Sequence, residues 1–183
     1  MLTQTKALPA GRQGLPKVLT FSEAKYYIFS AVFTASAVFF PWLAHQFHIA
    51  GPVFVPMHFF VIIAGLLFGW RAGMVVGIVS PLLSYGITHL PPMAILPETM
   101  LELAVYGFSA GILREKKLNI FTALFGAMFL GRLARLLMVL GLGLKTNPIK
   151  SFQMSWPGIL LQLALIPIII YLLQKFVFNK REV

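Results

Sequence analysis

Apolar residues in this chain run in long stretches broken by short polar segments. The first stretch, 26–44, has 19 residues, close to the ~20 that a helix needs to cross a bilayer. Stretches at 54–70, 72–90, 97–113, 118–144 and 156–178 follow it. The second is interrupted only by His58, and the third holds Pro81. The fourth carries Glu98 and Glu102 near its start, and the fifth carries Arg132 and Arg135. Transmembrane strands would alternate apolar and polar positions over about 10 residues, and these stretches do not. The pattern predicts six transmembrane helices joined by short loops, with no room for a separate soluble domain. Between the second and third helices, Gly69 to Gly73 has to form a tight turn, which glycines at both ends favour. A broken re-entrant hairpin is the alternative. Residues 1–22 read as a basic tail, with Pro9, Gly11, Gly14 and Pro16 opposing a helix and no apolar core of a signal peptide. The membrane domain is expected at 23–183.

Composition agrees with the pattern. Hydrophobic residues make up 58% of the 183-residue chain and charged residues 11%, and the mean hydropathy is +0.85. Soluble domains are about one quarter charged and under half apolar. There are no cysteines, which excludes thiolate metal sites and cysteine nucleophiles. The net charge of +10 would suggest nucleic acid in a soluble protein. With six spans and the N-terminus inside, Lys6, Arg12, Lys17, Lys25, Arg71, Arg114, Lys116, Lys117, Lys175, Lys180 and Arg181 lie inside, and only Lys145 and Lys150 lie outside. That bias predicts both termini in the cytoplasm and accounts for the charge without a nucleic-acid partner.

This topology gives the polar residues a depth. His58 begins the second helix near the outer surface. Tyr85 and His89 end the third there, with Ser84 and Thr88. Glu98 and Glu102 occupy the first two turns of the fourth helix. Arg132 and Arg135 fall in the middle to outer half of the fifth. Trp156 opens the sixth, with Gln162 two turns in. The unusual polar groups therefore gather in the outer half, as a pocket open to the outside with no polar path onward. Glu98 and Glu102 share one helix face, as do Arg132 and Arg135. Charges in the bilayer cost about 2.5–3.5 kcal/mol each on insertion scales and usually face the bundle interior. They would either lock the fourth and fifth helices together or touch a ligand, and because they sum to zero the sign of the substrate is not readable. His58 and His89 with the glutamates lack metal-ligand spacing, so no metal site is expected, and His45 and His48 read as solvated. The proline-stiffened segment 90–97 suits a lid over the pocket or, equally, a loop on the membrane surface. Small-residue spacings, Ala31 with Ala35, Gly73 with Gly77 and Gly107 with Gly111, mark close helix contacts. For the first helix the partner is either in this chain or on another subunit.

The chain has no GxxxxGK[ST] phosphate loop and no HExxH. Neither ATP hydrolysis nor another enzyme activity is expected, and no inverted repeat of a secondary transporter is evident. A small binder that takes its energy from partners fits these absences.

Over roughly residues 23–178 the sequence resembles the S components of energy-coupling factor (ECF) transporters, small membrane subunits that bind vitamins. The resemblance is carried by Ala31 and Ala35, by Pro56-Met57-His58, and by the stretch from Ala64-Gly65 to Gly77. Ser80-Pro81-Leu82-Leu83, Pro91-Pro92, Glu102-Leu103-Ala104-Val105-Tyr106-Gly107 and Gly131-Arg132 continue it. It looks like the broad subgroup that includes pantothenate and cobalamin binders. The resemblance implies an all-α bundle of six transmembrane helices in a prokaryotic plasma membrane, with both termini inside. It implies an outward pocket closed by the loops between helices 1 and 2 and between helices 3 and 4. It implies that Ala31 and Ala35 face a transmembrane coupling subunit, with two ATPase subunits consuming the ATP and no cofactor on this chain. The loaded subunit would topple to release its cargo inside. Substrate contacts are expected from His58, Tyr85, His89, Glu98, Glu102, Arg132, Arg135, Trp156 and Gln162. The alternatives are a structural membrane subunit of a cell-envelope assembly and an intramembrane metal-dependent hydrolase. A carboxylate-bearing vitamin such as pantothenate would use Arg132 or Arg135, and a large one such as cobalamin would need a wider mouth under Pro91 and Pro92.

Overall fold

A computed structural model describes residues 24–47, 51–54 and 56–173. These residues form six long helices and one single-turn helix. The elements are α1 (Ala24–Gln46), the turn α2 (Gly51–Phe54), α3 (Pro56–Phe68), α4 (Trp70–Thr88), α5 (Leu96–Glu115), α6 (Ile120–Gly141) and α7 (Pro148–Leu173). Four of them, α1, α4, α6 and α7, are long and apolar enough to cross a membrane. α3 is apolar but has only 13 residues, and α5 carries Glu98, Glu102, Arg114 and Glu115. The tail at 1–22, His48, and Lys175, Lys180 and Arg181 lie outside the described residues.

Two boundaries differ from the sequence expectation. The break between α3 and α4 is Gly69 alone, with φ 94° and ψ 176°. A backbone in that region needs glycine, and one such residue ends α3 and starts α4 at Trp70. Residues 70–73 are therefore helix, not turn. The last helix begins at Pro148, eight residues before the apolar stretch does. Asn147 caps it, its side-chain oxygen accepting the Lys150 amide at 3.0 Å, and proline is well suited to the first helical position.

The core is built around α3. Residues 61–68 are buried without exception, among them Ile62, Leu66, Leu67 and Phe68. α3, α4 and α5 meet through glycine. A Cβ on Gly65 would come within 2.5 Å of the Gly107 carbonyl oxygen, and one on Gly77 within 2.7 Å of the Leu103 carbonyl carbon. Gly73 and Gly107 face each other across α4 and α5, backbone to backbone, and Gly111 faces Trp70. The small-residue spacings of these helices thus serve contacts inside the chain, as small residues do where helices approach closely.

Successive long helices run in opposite directions. At one end, Tyr26 of α1 donates its hydroxyl to the Arg71 carbonyl at 3.3 Å, and the Trp70 amide donates to the Glu115 carboxylate at 3.2 Å. This end carries Arg71, Arg114, Lys116 and Lys117. The other end gathers the C-termini of α1 and α4, the N-termini of α3, α5 and α7, and the loop 89–95.

Candidate functional site

That second end holds a partly open cavity of about 420 Å³, a volume typical of small-molecule sites. Its roof is apolar, with Leu90, Pro91, Pro92 and Ile95 from the loop 89–95. Pro41 and His45 of α1 and Pro56 and Met57 of α3 form one wall. The floor is polar. It presents His58 of α3, Glu102 of α5, Arg132 and Arg135 of α6, and Ser151 and Ser155 of α7.

The floor is one connected ion cluster. Arg132 Nη1 lies 3.1 Å from Glu102 Oε1, and its Nη2 donates to Ser155 Oγ at 2.8 Å. Arg135 reaches both carboxylates: Nη2 to Glu98 Oε1 at 2.9 Å and Nη1 to Glu102 Oε2 at 3.2 Å. Its Nη1 also donates to Ser151 Oγ at 2.9 Å. Thr146 donates its hydroxyl to Glu98 Oε2 at 2.7 Å, and Tyr106 donates to Glu102 Oε1 at 3.2 Å. Both glutamates have 0% exposure. A buried charge is tolerated only when paired and hydrogen-bonded, and each of the four carboxylate oxygens has a donor. His58 Nε2 stands 3.6 Å from Glu102 Oε1, too far for a hydrogen bond.

Local sequence explains how the arginines reach this point. The Tyr106 ring lies against Gly131, where a Cβ would collide with it. Glycine there lets α6 approach α5, so that the next residue, Arg132, meets the glutamate that Tyr106 also contacts.

The structure brings His58, Glu102, Arg132 and Arg135 to the cavity. Glu98 sits behind them and reaches it only through Arg135. Four other expected residues lie elsewhere. Tyr85 is half-buried, its ring edge-on to the exposed His89 at 5.9 Å, and neither lines the cavity. Trp156 is 52% exposed and borders a separate cleft of about 290 Å³ between α6 and α7. Gln162 is buried beyond the cavity. Sequence reasoning missed Thr99, Ser151 and Ser155. The last two precede the apolar stretch at 156, and the Asn147-Pro148 start signal would have placed them on a helix, four apart and on one face. Among the described residues no three of His, Asp and Glu are grouped to hold a metal ion.

A second concavity, an apolar groove of about 630 Å³, runs between α1 and α4. Ala31 and Ala35 line it with Val75, Val79 and Leu83, and both alanines are exposed.

Nothing among curated proteins and nothing among solved structures matches the chain. Residues 25–179 match the family model described as ECF transporter, substrate-specific component. That match spans all six long helices, the cavity and the groove. Proteins of this family bind a substrate for a transporter and are not enzymes, and their transporters add a coupling module with ATPases. The chain is thus a multi-pass membrane protein and belongs to the substrate-specific component family of ECF transporters.

Proposed function

We propose that this subunit captures a vitamin or related micronutrient at the outer face of a prokaryotic plasma membrane. It then delivers the cargo inward by toppling while docked on its coupling module. The observation that carries this reading is the cavity of about 420 Å³ at one end of the bundle, with its charged floor and apolar roof. Beneath that floor the core is Ile62, Leu66, Leu67 and Leu124, which offers a polar solute no way onward. A reorientation of the whole subunit removes the need for one. Six membrane spans with both termini in the cytoplasm fit the lysine and arginine bias, since Arg71, Arg114, Lys116 and Lys117 share the end opposite the cavity. The apolar groove containing Ala31 and Ala35 suits the transmembrane coupling subunit, and two ATPase subunits would supply the energy. No cofactor is needed on this chain.

The test is purification in detergent, mass spectrometry of retained small molecules, and thermal shift against a vitamin panel. A vitamin held at stoichiometric level is the expected result. An empty protein that responds to no vitamin would sink the proposal. Ala31→Trp with Ala35→Trp should leave cargo binding intact and abolish co-purification with the coupling subunit. Survival of the complex would show that the groove is not the docking surface.

A further inference from the structure

The hydrogen-bonding account of the cavity floor is lopsided. On the acceptor side, all four carboxylate oxygens of Glu98 and Glu102 are engaged by Arg132, Arg135, Tyr106 and Thr146. The hydroxyl oxygens of Ser151 and Ser155 already accept from Arg135 and Arg132. On the donor side, the Nε of Arg132, the Nε of Arg135 and both ring nitrogens of His58 are buried without a hydrogen-bond partner. His58 is 6% exposed and lines the cavity. A guanidinium can only donate, and a neutral imidazole donates from one nitrogen. The unused capacity of these charged groups and His58 is therefore mainly for donating, which favours a ligand that brings acceptors.

The charge count narrows the ligand further. Two arginines face two glutamates, so the ionised side chains of the floor balance. An anionic ligand would add an unbalanced charge to a buried neutral cluster. Drawing a guanidinium away from a carboxylate with 0% exposure would strand a buried charge, which is strongly unfavourable. A cation would find every carboxylate oxygen of Glu98 and Glu102 already engaged. Among the described residues, prolines and aliphatic side chains make up the roof and offer no countercharge, while His45 is the only other titratable group on the lining.

We infer that the cargo is a small molecule uncharged where it meets the floor, presenting carbonyl or hydroxyl oxygens, as in an amide, ureide or imide, to Arg132, Arg135 and His58. The inference rests on the binding-subunit reading above and specifies its substrate class.

Matched acid and neutral probes test it: nicotinate with nicotinamide, pantothenate with pantothenol, biotin with biotinamide, and lipoate with lipoamide. Binding is measured by calorimetry at about pH 8, well above the usual imidazole pKa near 6.5. In parallel, the cargo retained from cells grown in rich medium is identified by mass spectrometry. The neutral member of a responding pair should bind at least about tenfold more tightly, and a retained cargo should be uncharged at pH 8. Preference for the acid, or a retained cargo with an ionised carboxylate, phosphate or ammonium, would overturn the inference and leave the binding-subunit reading standing. A protein that retains nothing and responds to no probe would fail both.

Discussion

Replacing Arg135 by Met removes the one side chain that, among the described residues, touches both buried carboxylates. Its guanidinium lies 2.9 Å from Glu98, 3.2 Å from Glu102 and 2.9 Å from Ser151. In Arg135→Met, Glu102 keeps Arg132 and Tyr106, while Glu98 keeps only the Thr146 hydroxyl among the described residues. Met is flexible enough to fill much of the vacated space, so the stranded charge dominates the effect. Breaking a buried pair from one side costs about 3–5 kcal/mol. For a chain of this length each kcal/mol moves the midpoint by about 2–4 °C. The expected loss is therefore roughly 6–20 °C. It is read by thermal unfolding in detergent without ligand, followed through tryptophan fluorescence. Adding Glu98→Gln should recover at least half of the loss, because the uncompensated charge is gone. A loss under about 3 °C, the scale of an exposed ion pair, would refute the reasoning. So would a double variant no more stable than the single one.

Gly107→Ala forces a methyl group against the Gly73 backbone. Separating α4 and α5 by roughly 1 Å should cost about 1–3 kcal/mol. Gly86→Ala, with open space around its Cβ, is the control and should unfold at the same temperature or slightly higher. Arg132→Ala should weaken cargo binding about tenfold or more, the scale of a lost charge-assisted hydrogen bond. Unchanged affinity in calorimetry would remove Arg132 from the site. Because the chain has no cysteine, single cysteines report topology cleanly. In intact cells Lys145→Cys should react with a membrane-impermeant maleimide and Lys117→Cys only after permeabilisation, and the opposite pattern would invert the proposed orientation.

Position along each helix was legible from sequence, and direction around it was not. The apolar stretches locate the long helices because burial in lipid requires continuous hydrophobicity. The glutamates and arginines were legible as partners because charges within a bundle are confined to its interior. One residue along a helix, however, turns the side chain by about 100°. Ser84 lines the cavity while its neighbour Tyr85 does not. Ser155 lines it while Trp156 faces the cleft between α6 and α7. In both pairs the large aromatic residue was the expected substrate contact, whereas the small hydroxyl-bearing one lines the cavity. The start of α7 was obscured by the polar segment 145–155. There a capping asparagine and a proline marked the helix, but hydropathy did not.

The ion cluster also bears on how such a subunit changes its cargo over evolutionary time. Arg135 joins α6 to α5 and α7, and Arg132 joins the same three helices through Glu102 and Ser155. A substitution on the floor therefore alters recognition and the integrity of the bundle together. Leu90, Pro91, Pro92 and Ile95 carry no such double duty. New preferences should arise first in that loop, with the floor inherited almost unchanged among close descendants whose nutrients differ in bulk more than in polarity.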